Sequence, residues 1–217
     1  MNELLTELFE RYPALAVCKD DILKAEELIY ETYENGGKVL VCGNGGSCAD
    51  SDHIVGELMK GFLLKRKMSQ SEAERFKMAL GDDAEELIEK LQGGIPAISL
   101  PAQSAVLSAY ANDVDGDLVY AQLTYGYATE RDLLIGISTS GNSRNVVPAA
   151  RVAKAKGAKT LALTGARDSK LSAVCDCTIR VPETETFKIQ ELHLPVYHYL
   201  CASVEKRIFG DANKGAF

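Results

Sequence analysis

The sequence predicts an α/β protein: a three-layer α-β-α sandwich about a five-stranded parallel sheet, with additional helices at its N-terminus. Three observations predict it. Five short apolar runs lack the alternation of a half-exposed strand, as expected of strands covered on both faces. Helical patterns separate the runs, which makes βαβ units. Two of the runs end in turns of small and polar residues that lead into helices, the place where open α/β sheets bind ligands.

The elements follow in order. Residues 2–11 and 18–35 read as amphipathic helices. The first strand is 38–42 (KVLVC), followed by a helix over 47–61. Residues 63–92 are dense in charge and in helix formers, and read as two exposed helices broken at Gly81-Asp82, either a solvated surface insertion or a lid over a site. The second strand is 96–100 (PAISL), with helices over 103–111 and 117–129. The third strand, 133–138 (LLIGIS), leads into a helix over 143–156 that Gly157 ends. Strands at 159–164 and 177–181 precede a long terminal helix, 186–208. The helices within 1–36 have no strand of their own to cover, so they are expected to pack on a partner chain.

Composition bounds the function. The 217 residues are 46% hydrophobic and 25% charged, as for one soluble domain over 1–217. A net charge of −7 without a basic stripe argues against nucleic acid as ligand. No apolar run is long enough to cross a bilayer and no leader pattern is visible, so no membrane partner and a cytoplasmic location are expected. Cys18, Cys42, Cys48, Cys175, Cys177 and Cys201 form no CxxC pair and are expected to be free thiols.

Two segments carry chemistry. Gly43-Asn44-Gly45-Gly46-Ser47 and Ser138-Thr139-Ser140-Gly141-Asn142-Ser143 each join a strand end to a helix start. Backbone N–H groups, hydroxyls and a helix N-terminus together suit a phosphate. Neither segment has the spacing of a dinucleotide or P-loop fingerprint. The ordinary alternative is a polar turn whose Asn and Ser cap helices. Of the three histidines, His53 stands four residues before Glu57 on one helix face, a spacing that can hold a divalent metal. Gln190 and His198 lie eight residues apart on the last helix, about 80° around it and roughly 12 Å along it. They could share an ion only if it sat between their levels.

The set GNGGS, HxxxE, Asn112-Asp113, STSGNS and Gln190-Glu191-Leu192-His193 with His198 resembles the sugar isomerase (SIS) domain, and within it the phosphoheptose isomerases. The resemblance covers nearly the whole chain except about 63–92 and the last few residues. It implies a flavodoxin-like sheet and a homotetramer with interface active sites. It implies one Zn²⁺ per subunit on His53, Glu57, Gln190 and His198. Substrate contacts are implied for Asn44, Gly45, Gly46, Ser47, Asn112, Asp113, Ser138, Thr139, Ser140, Ser143 and Gln190. The implied reaction converts D-sedoheptulose 7-phosphate to D-glycero-D-manno-heptose 7-phosphate through an ene-diol, with Glu57 as base and His198 as acid.

Two positions depart from the family pattern. Lys60 is the nearest cation after Glu57 where the family often has Arg, and Phe187 stands where it tends to have Asp. These departures leave two other readings open. One is an isomerase or binder of a different sugar phosphate. The other is a non-catalytic SIS protein that associates with the replication initiator, against which the presence of both Glu57 and His198 argues.

Overall fold

A computed structural model describes residues 3–210. Five strands form one sheet: β1 (Val39–Gly43), β2 (Ala97–Ser99), β3 (Leu133–Ile137), β4 (Lys159–Thr164) and β5 (Cys177–Arg180). Their order is β2-β1-β3-β4-β5 and every pair is parallel. Val39 stands opposite both Ala97 and Leu133, and Leu133 opposite Lys159.

The pleat sorts side chains to two cores. Val39, Val41, Leu133, Ile135, Ile137, Leu161 and Leu163 face one layer, formed by α1 (Glu3–Arg11), α2 (Lys19–Glu34), α3 (Gly46–Met59) and α9 (Thr186–Phe209). Leu40, Cys42, Leu134 and Ala162 face the other, which includes α7 (Val119–Tyr127) and α8 (Val146–Ala155). Both faces are covered, which is why the strands read as unbroken apolar runs.

The N-terminal helices pack within their own chain. Helix α2 packs on β5, β3 and α9 of its own chain, and α1 packs on α9. Leu5, Leu8, Ile22, Ala25 and Ile29 are buried there. Layer reasoning missed this because the sheet's first layer needs more cover than α3 and α9 supply. Their apolar stripes are thus covered within the chain.

Residues 63–92 hold two helices, α4 (Gln70–Leu80) and α5 (Ala84–Lys90), broken at Gly81–Asp83 as expected. A Ser69–Glu72 capping box starts α4. The segment is not wholly solvated, however. Arg66 is fully buried, with its Nε 2.7 Å from Glu205 Oε1. Between the second and third strands come α6 (Ser104–Tyr110) and a π-turn over Ala111–Asp115. Gly157, at φ 81°, ends α8 as expected. Helix α8 begins at Val146 and not at 143, so the polar loop is longer than its sequence suggests. All six cysteines are free. Among the described residues no helix is long and apolar enough to cross a membrane.

Candidate active site

The strand order reverses direction between β1 and β3, so their carboxyl ends open a crevice with α3 and α8 on opposite faces. The Gly-rich loop and the hydroxyl loop are the two lips of that crevice. Gly43 has no room for a side chain, because a Cβ would lie 2.5 Å from the Ser47 carbonyl oxygen. Gly45 takes φ 57°, which a side chain would oppose. Ser47 is buried as α3 begins.

In the second loop, Ser138 and Ser143 hydroxyls lie 2.7 Å apart, and Asn142 donates through its amide to Ser140 O at 2.8 Å. Gly141, at φ 63°, turns the chain, and its carbonyl accepts from Leu171 N at 3.0 Å. Among the described residues the backbone N–H groups of Thr139, Ser140 and Ser143 have no protein acceptor. These groups, with the hydroxyls and the start of α8, make a neutral anion cradle. A cleft of about 180 Å³ opens beside it, lined by Thr139, Ser140, Arg167, Thr184, Thr186 and Ile189.

Helices α3 and α9 bring the remaining candidates together. A Cβ on Gly46 would lie 2.5 Å from Gln190 Nε2, so the bare backbone admits the Gln190 amide. Further along, His53 Nε2 lies 3.3 Å from Glu57 Oε1, and Lys60 Nζ lies 3.0 Å from Glu57 Oε2. The His53 and His198 rings sit edge-on with centroids 5.0 Å apart. Burial, and after it the neighbouring His53, hold the His198 pKa below the ordinary imidazole value, against a smaller opposing pull from Glu57. His193 points the other way. It is fully buried beneath Thr164, and burial brings it to about 4, so it is a neutral core residue.

Two residues missing from the sequence-based set organise this cluster. Tyr197 hydroxyl donates to Asp50 Oδ1 at 3.1 Å and lies 3.0 Å from His53 Nδ1. Asp50 stands three residues before His53, so helical spacing alone could have found it. Burial raises the Asp50 pKa, with the Tyr197 bond and His53 opposing. Since the Tyr197 proton points to Asp50, His53 Nδ1–H donates to Tyr197. A neutral His53 then turns its Nε2 lone pair toward the Glu57 carboxylate.

That arrangement bears on the implied metal. Two acceptors 3.3 Å apart repel unless a proton or a cation lies with them. His198 Nε2 is buried without a partner. Two imidazoles, a carboxylate and an amide are donors that Zn²⁺ accepts. Among the described residues, however, no three His, Cys, Asp or Glu side chains are already disposed about one point. The residues fit the ion in chemical kind, with Glu57 shared with Lys60 as they stand.

Asn112 and Asp113 lie in the exposed π-turn, where Asn112 donates to Asp113 at 2.9 Å. No hydrogen bond among the described residues joins them to the other candidates. Phe187 is exposed on the first turn of α9.

The SIS domain family matches the chain twice, over residues 6–93 and 106–200. The phosphoheptose isomerase of Aneurinibacillus thermoaerophilus is 35% identical over 201 residues, covering 88% of each chain. That of Akkermansia muciniphila is 33% identical over 209 residues, covering 96% of each. Among solved structures, phosphoheptose isomerase GmhA from Neisseria gonorrhoeae superposes with TM-score 0.71 at 29% identity, over 93% of this chain and 95% of that one. The Francisella tularensis phosphoheptose isomerase gives 0.71 at 27% identity, over 95% and 100%. With its flavodoxin-like strand order, its hydroxyl loop at the switch point and these relatives, the chain belongs to the phosphoheptose isomerase family of SIS-domain proteins.

Proposed function

We propose that the protein is an aldose-ketose isomerase that converts D-sedoheptulose 7-phosphate to D-glycero-D-manno-heptose 7-phosphate. One observation carries the reading. The Gly-rich loop, which faces the anion cradle across the crevice, leads into α3; there Gly46 meets Gln190 of α9, and further along the same two helices His53 lies against Glu57 and edge-on to His198. A sugar with phosphate at one end and a carbonyl at the other is the ligand that suits both.

The phosphate sits on Ser138, Thr139, Ser140 and Ser143 and on the N–H groups beside them. Asn44, Gly45, Gly46, Ser47 and Gln190 meet the sugar body; Asn112 and Asp113 are assigned through family likeness alone. Glu57 removes a proton from C1 as the C1=C2 bond forms and O2 takes a proton from His198. Return of a proton to C2 and loss of the O1 proton then leave the aldehyde at C1. With its pKa held below the ordinary value, His198 is neutral near pH 7 and acts as an N–H donor to the carbonyl oxygen. One Zn²⁺ per subunit on His53, Glu57, Gln190 and His198 would polarise that carbonyl and offset the charge of the ene-diolate.

The working protein is a homotetramer with active sites at subunit interfaces. A largely apolar cleft of about 410 Å³ supports this; it runs from α1 to α9 over His198 and includes the exposed Leu63 and Leu194. The test of function is incubation with ketose phosphates of five, six and seven carbons, followed by NMR. The seven-carbon ketose should give the aldose, and Glu57→Gln and His198→Asn should abolish turnover. Preference for a shorter ketose would reassign the substrate. Absence of turnover with zinc supplied would sink the reading.

A further inference from the structure

Asn44 and Asn145 lie 101 residues apart in sequence, one on each lip of the crevice, and each side-chain amide donates to the other's oxygen, at 2.8 and 3.0 Å. Such a pair uses one donor and one acceptor on each side and fixes two planar groups against each other. Asn145 immediately precedes α8, where an asparagine ordinarily caps the helix, yet its side chain makes no cap bond. The amide reaches across to the other loop instead, while Val147 N of the first turn of α8 is satisfied by Ser143 O at 3.1 Å and Pro148 has no N–H to cap. The Asn44 side is held in turn. Tyr120 hydroxyl donates to Gly43 O at 2.8 Å and lies 3.4 Å from Asn44 Oδ1. Capping does not explain Asn145; a tie between the loops does.

We infer that Asn145 is a positioning residue that acts through Asn44 to set the span between the phosphate cradle and the Gly-rich loop. It rests on the proposed function in one respect: the ligand is a phosphorylated polyhydroxy chain that touches both lips. Inorganic phosphate touches only the cradle, so the two ligands report differently on the tie.

The experiment is Asn145→Ala in the full chain, compared with wild type for the KM of the sugar phosphate and for competitive inhibition by inorganic phosphate. KM should rise ~10-fold or more, since a small misplacement of a bound substrate is costly. The inhibition constant for inorganic phosphate should stay within about twofold, because its own contacts are untouched. No change in KM overturns the inference. An equal rise in both constants also overturns it, because Asn145 would then act on the anion site directly.

A second measurement needs no activity. In a thermal-melt cycle of Asn44→Ala, Asn145→Ala and the double variant, the double should melt no lower than the weaker single variant. Additive losses would mean that the two amides are uncoupled. A wild type that turns over no sugar phosphate would remove the functional reading, while this cycle would still decide the tie.

Discussion

Arg66 and Glu205 form a fully buried ion pair, 2.7 Å between Nε and Oε1, joining the segment after α3 to the end of α9. Every polar atom of the pair is engaged. The guanidinium also donates to the carbonyls of Leu58 and Glu57, at 2.5 and 2.8 Å, so it closes the C-terminus of α3. The Glu205 carboxylate accepts from the Phe62, Leu63 and Leu64 N–H groups. Removing one partner leaves a buried unpaired charge, so Arg66→Met should cost about 3–5 kcal/mol in urea unfolding. Because Arg66 holds the backbone of Glu57, Arg66→Lys should lower kcat more than it lowers stability. An equal KM and kcat in that variant would separate the ion pair from the site.

His198 sets a pH dependence. Its folded pKa lies below the ordinary imidazole value, first through burial. It therefore takes up its proton only as pH falls below about 6.5. If the neutral ring is the working form, kcat/KM should be flat from about pH 7 upward as far as His198 is concerned, with an acidic limb below 6.5. A rate that falls as pH rises through neutrality would mean that the imidazolium does the work.

Asp132 ties the starts of β1 and β3. Burial pushes its pKa up, but bonds from Lys38 Nζ at 2.7 Å, Lys38 N at 2.8 Å and Thr129 N at 2.7 Å outweigh it, and the net pKa is lowered. A lowered carboxylate stabilises the fold above its unfolded pKa of about 4, and the gain is lost as pH falls through the folded value. Asp132→Asn should cost about 1–3 kcal/mol at pH 7. The gap from wild type should narrow at pH 3; a gap independent of pH would mean that charge is not the cause.

Gly141 tests the cradle itself. Its φ of 63° suits glycine, and a Cβ there would run into the Ser169 side chain. Gly141→Ala should cost about 1–3 kcal/mol in stability. It should also weaken inhibition by inorganic phosphate, read by competition. A variant with unchanged phosphate affinity would place the anion elsewhere.

Metal content gives a readout apart from rate. His53→Ala and His198→Ala should each lower bound zinc measured by atomic emission after dialysis, by about 10-fold or more in affinity. Wild type that holds no zinc after reconstitution would leave His53 and Gln190 as structural or substrate contacts, with Glu57 and His198 as the acid–base pair alone.

The sheet was legible because each strand is buried on both faces and carries its apolar run locally. The hydroxyl loop and the His53–Glu57 pair were legible for the same reason: their meaning lies in contiguous residues or in one helical turn. The pairs that organise the site were not. Arg66 sits in a basic run, Lys65-Arg66-Lys67, that reads as surface, and only Glu205, 139 residues away, makes its burial tolerable. Tyr197 reads as one more apolar residue of α9 until Asp50 and His53 appear beside it. Asn145 reads as one more polar residue in the first turn of the helix over 143–156 until Asn44 is placed beside it. The packing of α2 on its own sheet and on α9 was not legible, because composition cannot say which layer of a sandwich lacks cover.

The charged segment carrying α4 and α5 leaves and re-enters the fold at nearly one point. Lys67 pairs with Gln92 across its base, Gly93 N donates to Arg66 O at 2.7 Å, and Gly61 N donates to Gln92 Oε1 at 2.7 Å. A segment whose ends already touch adds little loop-closure entropy to its host, whatever its length. The helical hairpin is thus an appendage that descent could lengthen, shorten or discard, and a builder could excise it or use it to carry another module, while the crevice kept its shape.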